Sequence, residues 1–455
     1  MAEMSRQELE QWLESNAIAS VRVEGTNLDG SLIGKNVSVP KFLGSLESGF
    51  AFADVAFGLD LGNVPYFGFA MPSWRGDLPD IFLKVDTSTL TVWSPGRASV
   101  IGDFWTRDND PVSACPRNTL RRITHEASEQ GFQVKVAVEI EATLFEESIQ
   151  EARLKGYRDL TPLGGTSGSA YHLTKSKDWD DYMQAVARRL DEIGIPWEAW
   201  NDEAATGQVE LNIAVSDPVA VSDHWARARQ VMREVGFEQG HCVTFMAKWC
   251  DEYGQSSHLN MSLQEDGSNS FYAEDGPSEV MAHFIGGAMA AMAGTTSFAM
   301  PWITSYRRLV DLDGPPTTVT WGIGNKSTAI RAVVGHPKYS RIEYRVPGSD
   351  SNVYLVLAAV LGAGLAGVRD RIAPPEPYPT MAWCLPPGIE RLPNSITQAA
   401  EALANDKLLY EVLGQELVDY WLGMRRWEWL MFHTTGGDPD ADVTAWESTR
   451  YFELA

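Results

Sequence analysis

Cysteine is scarce in this 455-residue chain, which carries only Cys115, Cys242, Cys250 and Cys384, none in CxxC spacing. That excludes a disulfide framework and a structural zinc site, and it fits a reducing cytoplasm. Positive charge is also short: 37 Lys and Arg stand against 61 Asp and Glu. A net charge of −24 argues against nucleic acid or an anionic membrane surface as a partner. The N-terminus MAEMSRQELEQWLESN lacks the apolar core of a signal peptide. Only two runs are long and uncharged, Met281 to Tyr306 and Val353 to Val368, and both are dense in Gly and Ala. They read as tightly packed buried helices, not membrane spans. No internal repeat of roughly 20 to 50 residues is visible.

What is present reads as a soluble α+β protein of more than one core. A small α+β unit opens the chain. Ser5 and Glu8 form a capping box ahead of a helix, and a strand follows over Ala19 to Glu24. The Asn27-Leu28-Asp29-Gly30 turn leads to further strands at Asp80 to Val85 and Leu90 to Trp93. Pro95-Gly96 and the segment Asp108 to Pro116 carry boundary signals, which places units at 1–107 and 108–455. In the larger unit, strands are expected at Gln133 to Phe145, around Gln208 to Ile213, at Val243 to Lys248, from His258 to Leu263, and at Tyr339 to Val346. Helices are expected at Asp178 to Ile193 and Asp217 to Val235, and the C-terminal third is helical.

Four of these strands share one design, an apolar back and a polar front with a period of two. The fronts present Glu139 and Glu141; Gln208, Glu210 and Asn212; His258, Asn260 and Ser262; and Arg341, Glu343 and Arg345. Glu203 sits in the turn that enters the second of them. If the fronts face one cavity, five carboxylates crowd together, and like charges in a partly dry space need cations. Two divalent metals are of the right scale, and oxygen-rich ligation with one His suits Mg²⁺ or Mn²⁺. The pattern by itself leaves open four unrelated strands with solvated faces.

In order and over nearly the whole chain, these segments resemble the glutamine synthetase superfamily. VEIEATLF is similar to its E-x-E strand and EAATGQVE to its E-x(4)-G-Q-x-E motif. HLNMS is similar to its histidine strand, and NKSTAIR with RIEYRVP to its N-R-x(4)-R…R-x-E-x-R-x-P signature. FMAK, SYRRL and WESTRYFEL are further family-like pieces. The resemblance implies an N-terminal β-grasp domain, then a catalytic domain with a curved antiparallel sheet and surrounding helices. It implies that Glu141, Glu203 and Glu210 hold one metal, and Glu139, His258 and Glu343 a second. Asn260, Ser262, Lys338 and Arg341 fall at positions that contact ATP. Gly254, Arg308 and Arg345 fall at positions that grip glutamate, and Lys326 and Arg331 at positions that stabilise the transferring phosphoryl group. The implied activity is ATP-dependent ligation of an amine to the γ-carboxylate of L-glutamate, in a homo-oligomer, commonly of twelve chains, with active sites between subunits.

Three departures bear on the amine. Where ammonium-using members carry an acidic residue before Ala-Pro, this chain reads DLDGPP, with Gly314 and Pro315-Pro316. Lys326 replaces the usual Arg, a point charge in place of a fork. Trp383 stands where some bacterial members carry a regulatory tyrosine ahead of the Leu385-Pro386-Pro387 turn. TWGIGNK resembles the γ-glutamyl-amine ligase branch, so a hydrophobic alkyl or aryl monoamine is expected, with Phe52, Phe57 and Tyr66 as pocket candidates. A polyamine or ethanolamine ligase, glutamine synthetase itself and a catalytically silent relative are the competing readings. Gly362 to Gly367 fits GxGxxG but follows a helix-like run, so no dinucleotide site is expected. Cys242 and Cys250 read as core, and His241 and His336 as structural or surface groups.

Overall fold

Two sheets organise the chain in the computed structural model, which describes residues 4–65, 79–165, 168, 170–383 and 388–454. Tyr66, Cys384 and the Leu385 to Pro387 turn lie outside the described residues, as do positions 166, 167 and 169 of the glycine-rich loop. The first sheet contains β1 (Ser20–Thr26), β2 (Leu32–Ser38), β3 (Phe50–Ala53), β4 (Asp80–Val85), β5 (Thr91–Ser94) and β6 (Arg97–Trp105). Its order is β2-β1-β6-β4-β3, with β1 and β6 parallel at the centre and β5 folded onto β6. The helix Arg6–Ser15 is started by the expected box, with Ser5 N–H donating to Glu8 at 2.8 Å. Pro95-Gly96 is not a boundary. It is the turn between β5 and β6, and Gly96 takes the left-handed φ of +77° that such a turn requires.

Phe52 and Phe57 do not line a pocket. Both are buried and meet the Phe104 ring edge-on, at 5.3 and 5.2 Å, because this small sheet needs their area for its own core.

The second sheet contains β7 (Gln133–Phe145), β8 (Trp197–Asp202), β9 (Gln208–Ser216), β10 (Cys242–Thr244), β11 (Leu259–Glu265), β12 (Ser268–Asn269), β13 (Trp321–Ile323), β14 (Ile330–Val333) and β15 (Arg341–Tyr344). The order β13-β14-β15-β11-β7-β9-β8 is antiparallel except for β13 on β14. Irregularities at Val136/Val138 and Trp197/Ala199 bend the ribbons, as bulges do. Two strands are shorter than the sequence pattern suggests. β10 stops at Thr244 because the Gln255 side chain, not a neighbouring strand, takes the Met246 carbonyl at 2.7 Å. β15 starts only at Arg341 because Tyr339 and Ser340 N–H groups turn back to the His336 carbonyl, at 3.2 and 3.0 Å.

Behind the sheet lies the helix Val353–Asp370, packed against Glu279–Ala290 and Pro116–Glu129. It is long and apolar enough to cross a membrane, but 83% of it is buried within the protein. The GxGxxG run lies inside this helix, and its glycines serve contact. A Cβ on Gly364 would fall 2.4 Å from the Phe284 ring, and one on Gly367 2.3 Å from the His283 carbonyl. The first sheet is tied to the helices behind the second at Arg117, buried, whose guanidinium reaches Asp86 at 2.9 Å, Asp103 at 3.0 Å and Asp223 at 2.9 Å. Tyr354 Oη donates to the same Asp223 at 2.6 Å.

Gly287 tests the close helix contact. A Cβ there would stand 2.1 Å from the Ala363 carbonyl oxygen. Alanine is a better helix former than glycine by about 1 kcal/mol, whereas overpacking costs about 1–3 kcal/mol or more. Gly287→Ala is therefore expected to lower the urea midpoint; an unchanged or raised midpoint would show that the helices are not in contact there.

Candidate active site

Register alone draws the charged fronts together. Glu141 lies opposite Glu210 across the β7/β9 pair, and Glu210 opposite Asn201 on β8. On the other side, Asn260 of β11 faces Ala137 of β7 and Glu343 of β15, while Glu343 faces Arg331 of β14. His258 precedes β11, where its carbonyl accepts from the Glu139 N–H at 3.0 Å. Six side chains from distant parts of the chain are thus set on one face of five adjacent ribbons.

Glu139, His258 and Glu343 offer donor atoms that all lie within 4.8 Å of one another, the one such trio among the described residues. His258 Nδ1 is 2.8 Å from Glu139 Oε2 and 3.7 Å from Glu343 Oε1. Around them runs a chain of contacts. Arg341 Nε donates to Asn260 Oδ1 at 2.8 Å, and Asn260 Nδ2 donates to Glu139 Oε1 at 3.0 Å. Arg345 shares Glu343 Oε1 with His258, and Arg331 Nη1 takes Glu343 Oε2 at 2.8 Å.

Glu141, Glu203 and Glu210 are neighbours electrostatically but are not gathered so tightly. Glu141 accepts from the Ser256 N–H at 2.7 Å and from Gln208 Nε2 at 2.9 Å. Glu203 accepts from Asn201 at 3.2 Å, and Glu210 from Asn212 at 2.9 Å.

The charge balance is lopsided. Burial, then the Glu343 charge, pushes Glu139 up to about 7. Burial and neighbouring glutamates push Glu203 and Glu210 up to about 7 as well, and Glu141 well above the usual carboxylate range. Glu343 is the exception: burial raises it, but Arg345, His258 and Arg331 overcome this and hold it at about 2. Burial and Arg345 keep the His258 imidazole neutral, and its buried Nε2 has no hydrogen-bond partner. A neutral imidazole aimed at two carboxylates, beside acids that resist ionising together, fits a divalent cation. Five carboxylates and one imidazole suit a hard, oxygen-preferring ion.

A cavity of about 730 Å³ opens beside this cluster. Its walls include Glu139 and all four residues expected to contact nucleotide, Asn260, Ser262, Lys338 and Arg341. Lys326 is exposed, yet its charge is felt by both Glu210 and His258. Arg308 is fully buried, with Nη1 on the Val346 carbonyl at 2.8 Å and Nη2 on Ser256 Oγ at 3.0 Å, while its Nε has no partner. Gly254 is where Arg308 lies against backbone: a Cβ would fall 2.5 Å from Arg308 Cγ. Arg345 is buried, with its Nε unpartnered. His241 and His336 stay outside the cluster; His241 Nδ1 contacts the Phe145 carbonyl at 3.1 Å.

Sequence reasoning assigned no role to Gln208, Ser256 or Glu252. Gln208 bridges Glu141 and the Gly254 carbonyl, the latter at 3.2 Å. Glu252 clips the 248–256 loop to Thr206 at 2.8 Å and 3.1 Å. Gln208 did stand in the polar front beside Glu210. Ser256 donates its backbone N–H to Glu141, which no side-chain pattern reveals, and its Oγ accepts from Arg308.

Comparison with known proteins gives one consistent result. The family described as "Glutamine synthetase, catalytic domain" matches residues 113–451. A γ-glutamylethanolamide synthetase of Streptomyces coelicolor is 31% identical over 98% of this chain and 95% of its own length. A glutamate–isopropylamine ligase of a Pseudomonas species is 29% identical over 97% of each chain. The solved structure of GmaS without ligand superposes with a TM-score of 0.82 at 23% identity, covering 97% of this chain and 98% of that one. At that identity the likeness speaks to the fold.

The raised acids predict a pH effect whose sign a cation reverses. Their folded pKa near 7 exceeds the ordinary 4.5, so the folded metal-free chain holds protons that the unfolded chain has shed. Their stabilising contribution is therefore lost as pH rises through 7. The histidines held neutral, His224 and His258, oppose this but are outnumbered. Metal-free protein is expected to melt higher at pH 6.5 than at pH 8, with saturating Mn²⁺ or Mg²⁺ reversing the order. Glu210→Gln should flatten the metal-free trend. A metal-free melting temperature that rises with pH would contradict the crowded-carboxylate description.

Proposed function

Because the chain belongs to the glutamine synthetase family of ATP-dependent ligases, we propose that it couples the γ-carboxylate of L-glutamate to an amine. The products are a γ-glutamyl amide, ADP and phosphate, by way of a γ-glutamyl phosphate. The observation that carries this reading is the tight trio Glu139, His258 and Glu343 at the edge of the 730 Å³ cavity.

In this reading Glu139, His258 and Glu343 hold one divalent cation, and Glu141, Glu203 and Glu210 another, Mg²⁺ or Mn²⁺. When bound, the cations supply the positive charge that lets two anions approach. Asn260, Ser262, Lys338 and Arg341 bind ATP in the cavity. Gly254, Arg308 and Arg345 orient the glutamate carboxylates, with Gln208 and Ser256 fixing the loop that carries Gly254. A glutamate γ-oxygen attacks the terminal phosphorus and ADP leaves; Lys326 and Arg331 offset the charge on the transferring phosphoryl group. The amine nitrogen then attacks the acyl carbon, the carbon–oxygen bond to phosphate breaks, and the amine loses a proton. Exclusion of water protects the acyl phosphate between these steps. A division at 107/108 and a ring of identical chains with shared sites, twelve in number, complete the proposal.

Amine preference follows from the flap. Asp311 is engaged by Arg391, at 3.2 and 2.8 Å, and by Thr317, while Asp313 lies 3.6 Å from Lys248. Gly314 adds no charge. The flap's carboxylates are already paired, so ammonium finds no free anion to bind and deprotonate it. A relative named for isopropylamine supports a small alkyl monoamine, and one named for γ-glutamylethanolamide supports the ethanolamine alternative.

Release of ADP with glutamate and a panel of amines is the test. Alkyl or aryl monoamines should outperform ammonium; highest turnover with ammonium would assign glutamine synthetase itself, and no ADP with any amine would sink the ligase reading. Glu343→Gln is the better ligand variant, since alanine would strand two guanidiniums. It should cost at least about a hundredfold in turnover. Gly314→Glu should raise kcat/KM for ammonium relative to the preferred amine. Gly314 has φ +104°, so Gly314→Ala serves as the control for backbone strain.

A further inference from the structure

One buried carboxylate stands outside the proposed chemistry. Asp350 is completely buried, on the segment that follows Arg345. Its Oδ2 accepts from two other segments, the Ser305 hydroxyl at 2.8 Å and the Ala247 N–H at 3.3 Å. Ser305 is buried too, and its Oγ accepts the Trp302 N–H at 3.1 Å, so its one proton is committed to Asp350. Gly348 makes the room: a Cβ there would fall 2.7 Å from Asp350 Oδ1 and 2.9 Å from Ala247 Cβ. Neighbouring backbone is knit in as well. Ser349 N–H donates to the Gln255 carbonyl at 3.1 Å, Ser257 N–H to the Pro347 carbonyl at 3.1 Å, and Gln255 N–H to the Ala247 carbonyl at 2.8 Å.

These partners are the roots of the three groups assigned to glutamate. Ala247 and Gln255 bracket the stretch that carries Gly254, Ser305 belongs to the short helix Ile303–Arg307 that ends at Arg308, and Arg345 leads into the Asp350 segment. Asp350 also matters as a charge. Arg308 is fully buried and makes no ion pair among the described residues. Burial pushes its guanidinium down to about 10, against the charges of Glu141 and then Asp350. In the ligase reading Glu141 is committed to a divalent cation, which leaves Asp350 as the anion that answers Arg308. Burial pushes Asp350 up to about 6, against its two hydrogen bonds and the charges of Arg308 and Arg229, so it is mostly ionised at neutral pH. We propose that Asp350 is the positioning residue of the glutamate grip: through Ser305 and Ala247 it holds Arg308 and the Gly254 stretch at one spacing, and its charge balances the Arg308 guanidinium in a dry site. This rests on the ligase reading above and adds to it a group that sets glutamate affinity without touching glutamate.

Steady-state ADP release with the fastest amine of the panel above, glutamate and MgATP being varied in turn, tests the assignment. Wild type is expected to release ADP only with glutamate present; if it does not, the ligase reading fails and takes this assignment with it. Asp350→Asn keeps the size of the side chain and removes its charge. It should raise the KM for glutamate about 10- to 100-fold, the range for groups that orient the direct ligands of a site, with the KM for MgATP unchanged. Ser305→Ala keeps the charge and removes one tie, so it should raise the KM for glutamate by a smaller factor, again with no change for MgATP. It also carries the test if Asp350→Asn does not fold. A merely structural role gives another pattern: fewer folded molecules, hence a lower kcat at unaltered KM for both substrates. That pattern overturns the proposal while leaving the ligase reading in place, and so does an equal rise in KM for MgATP.

Discussion

Mutual repulsion among carboxylates in a partly dry space is the constraint on which this structure turns. Burial alone would leave five acids protonated or force them apart. The sheet register prevents separation, because Glu141 opposite Glu210 is fixed by a ladder of seven pairs, and Asn260 opposite Glu343 by a shorter one of three. Side-chain cations make ion pairs with only one of the five, Arg331 and Arg345 on Glu343; Arg341, Arg308 and Lys326 act on Glu139, Glu141 and Glu210 without offsetting burial and repulsion. Glu139, Glu203 and Glu210 are pushed up to about 7 and Glu141 well above the usual carboxylate range, a crowding that a doubly charged ion would relieve.

Support for that arrangement comes from groups that carry no chemistry. Gln208, the Ser256 N–H and the Glu252–Thr206 clip bind two segments, the turn ahead of β9 and the 248–256 loop, to Glu141 and to each other. Behind the sheet, glycines let helices approach until backbone meets backbone. Rigid packing of this kind holds like charges at a spacing that they would otherwise relax.

Much of this was legible in the sequence, for physical reasons that differ by element. The period of two over Gln133 to Phe145 reports a strand apolar on one side, and the strand occupies that span. The alternation also separates Glu139 and Glu141 from the core residues between them. Where hydrogen bonds from outside a strand decide its end, the pattern misleads. Phe245 to Lys248 look like strand, yet Gln255 takes their backbone partners. Phe52 and Phe57 look like pocket residues because sequence cannot say which unit lacks core area. The Ser256 contact to Glu141 was invisible because it uses the backbone amide, which every residue but proline has. The ordered motifs gave the family where periodicity alone left two readings open.

One guanidinium governs how the two halves of the chain can move. Arg117 sits in the seam with Asp86 and Asp103 from one side and Asp223 from the other, out of reach of solvent. Sliding the halves past each other would strand charge in a dry gap, a penalty that rises steeply with displacement. The seam therefore behaves as a weld, not a hinge. Relative displacement of the first sheet and the helices behind the second is thereby opposed at Arg117.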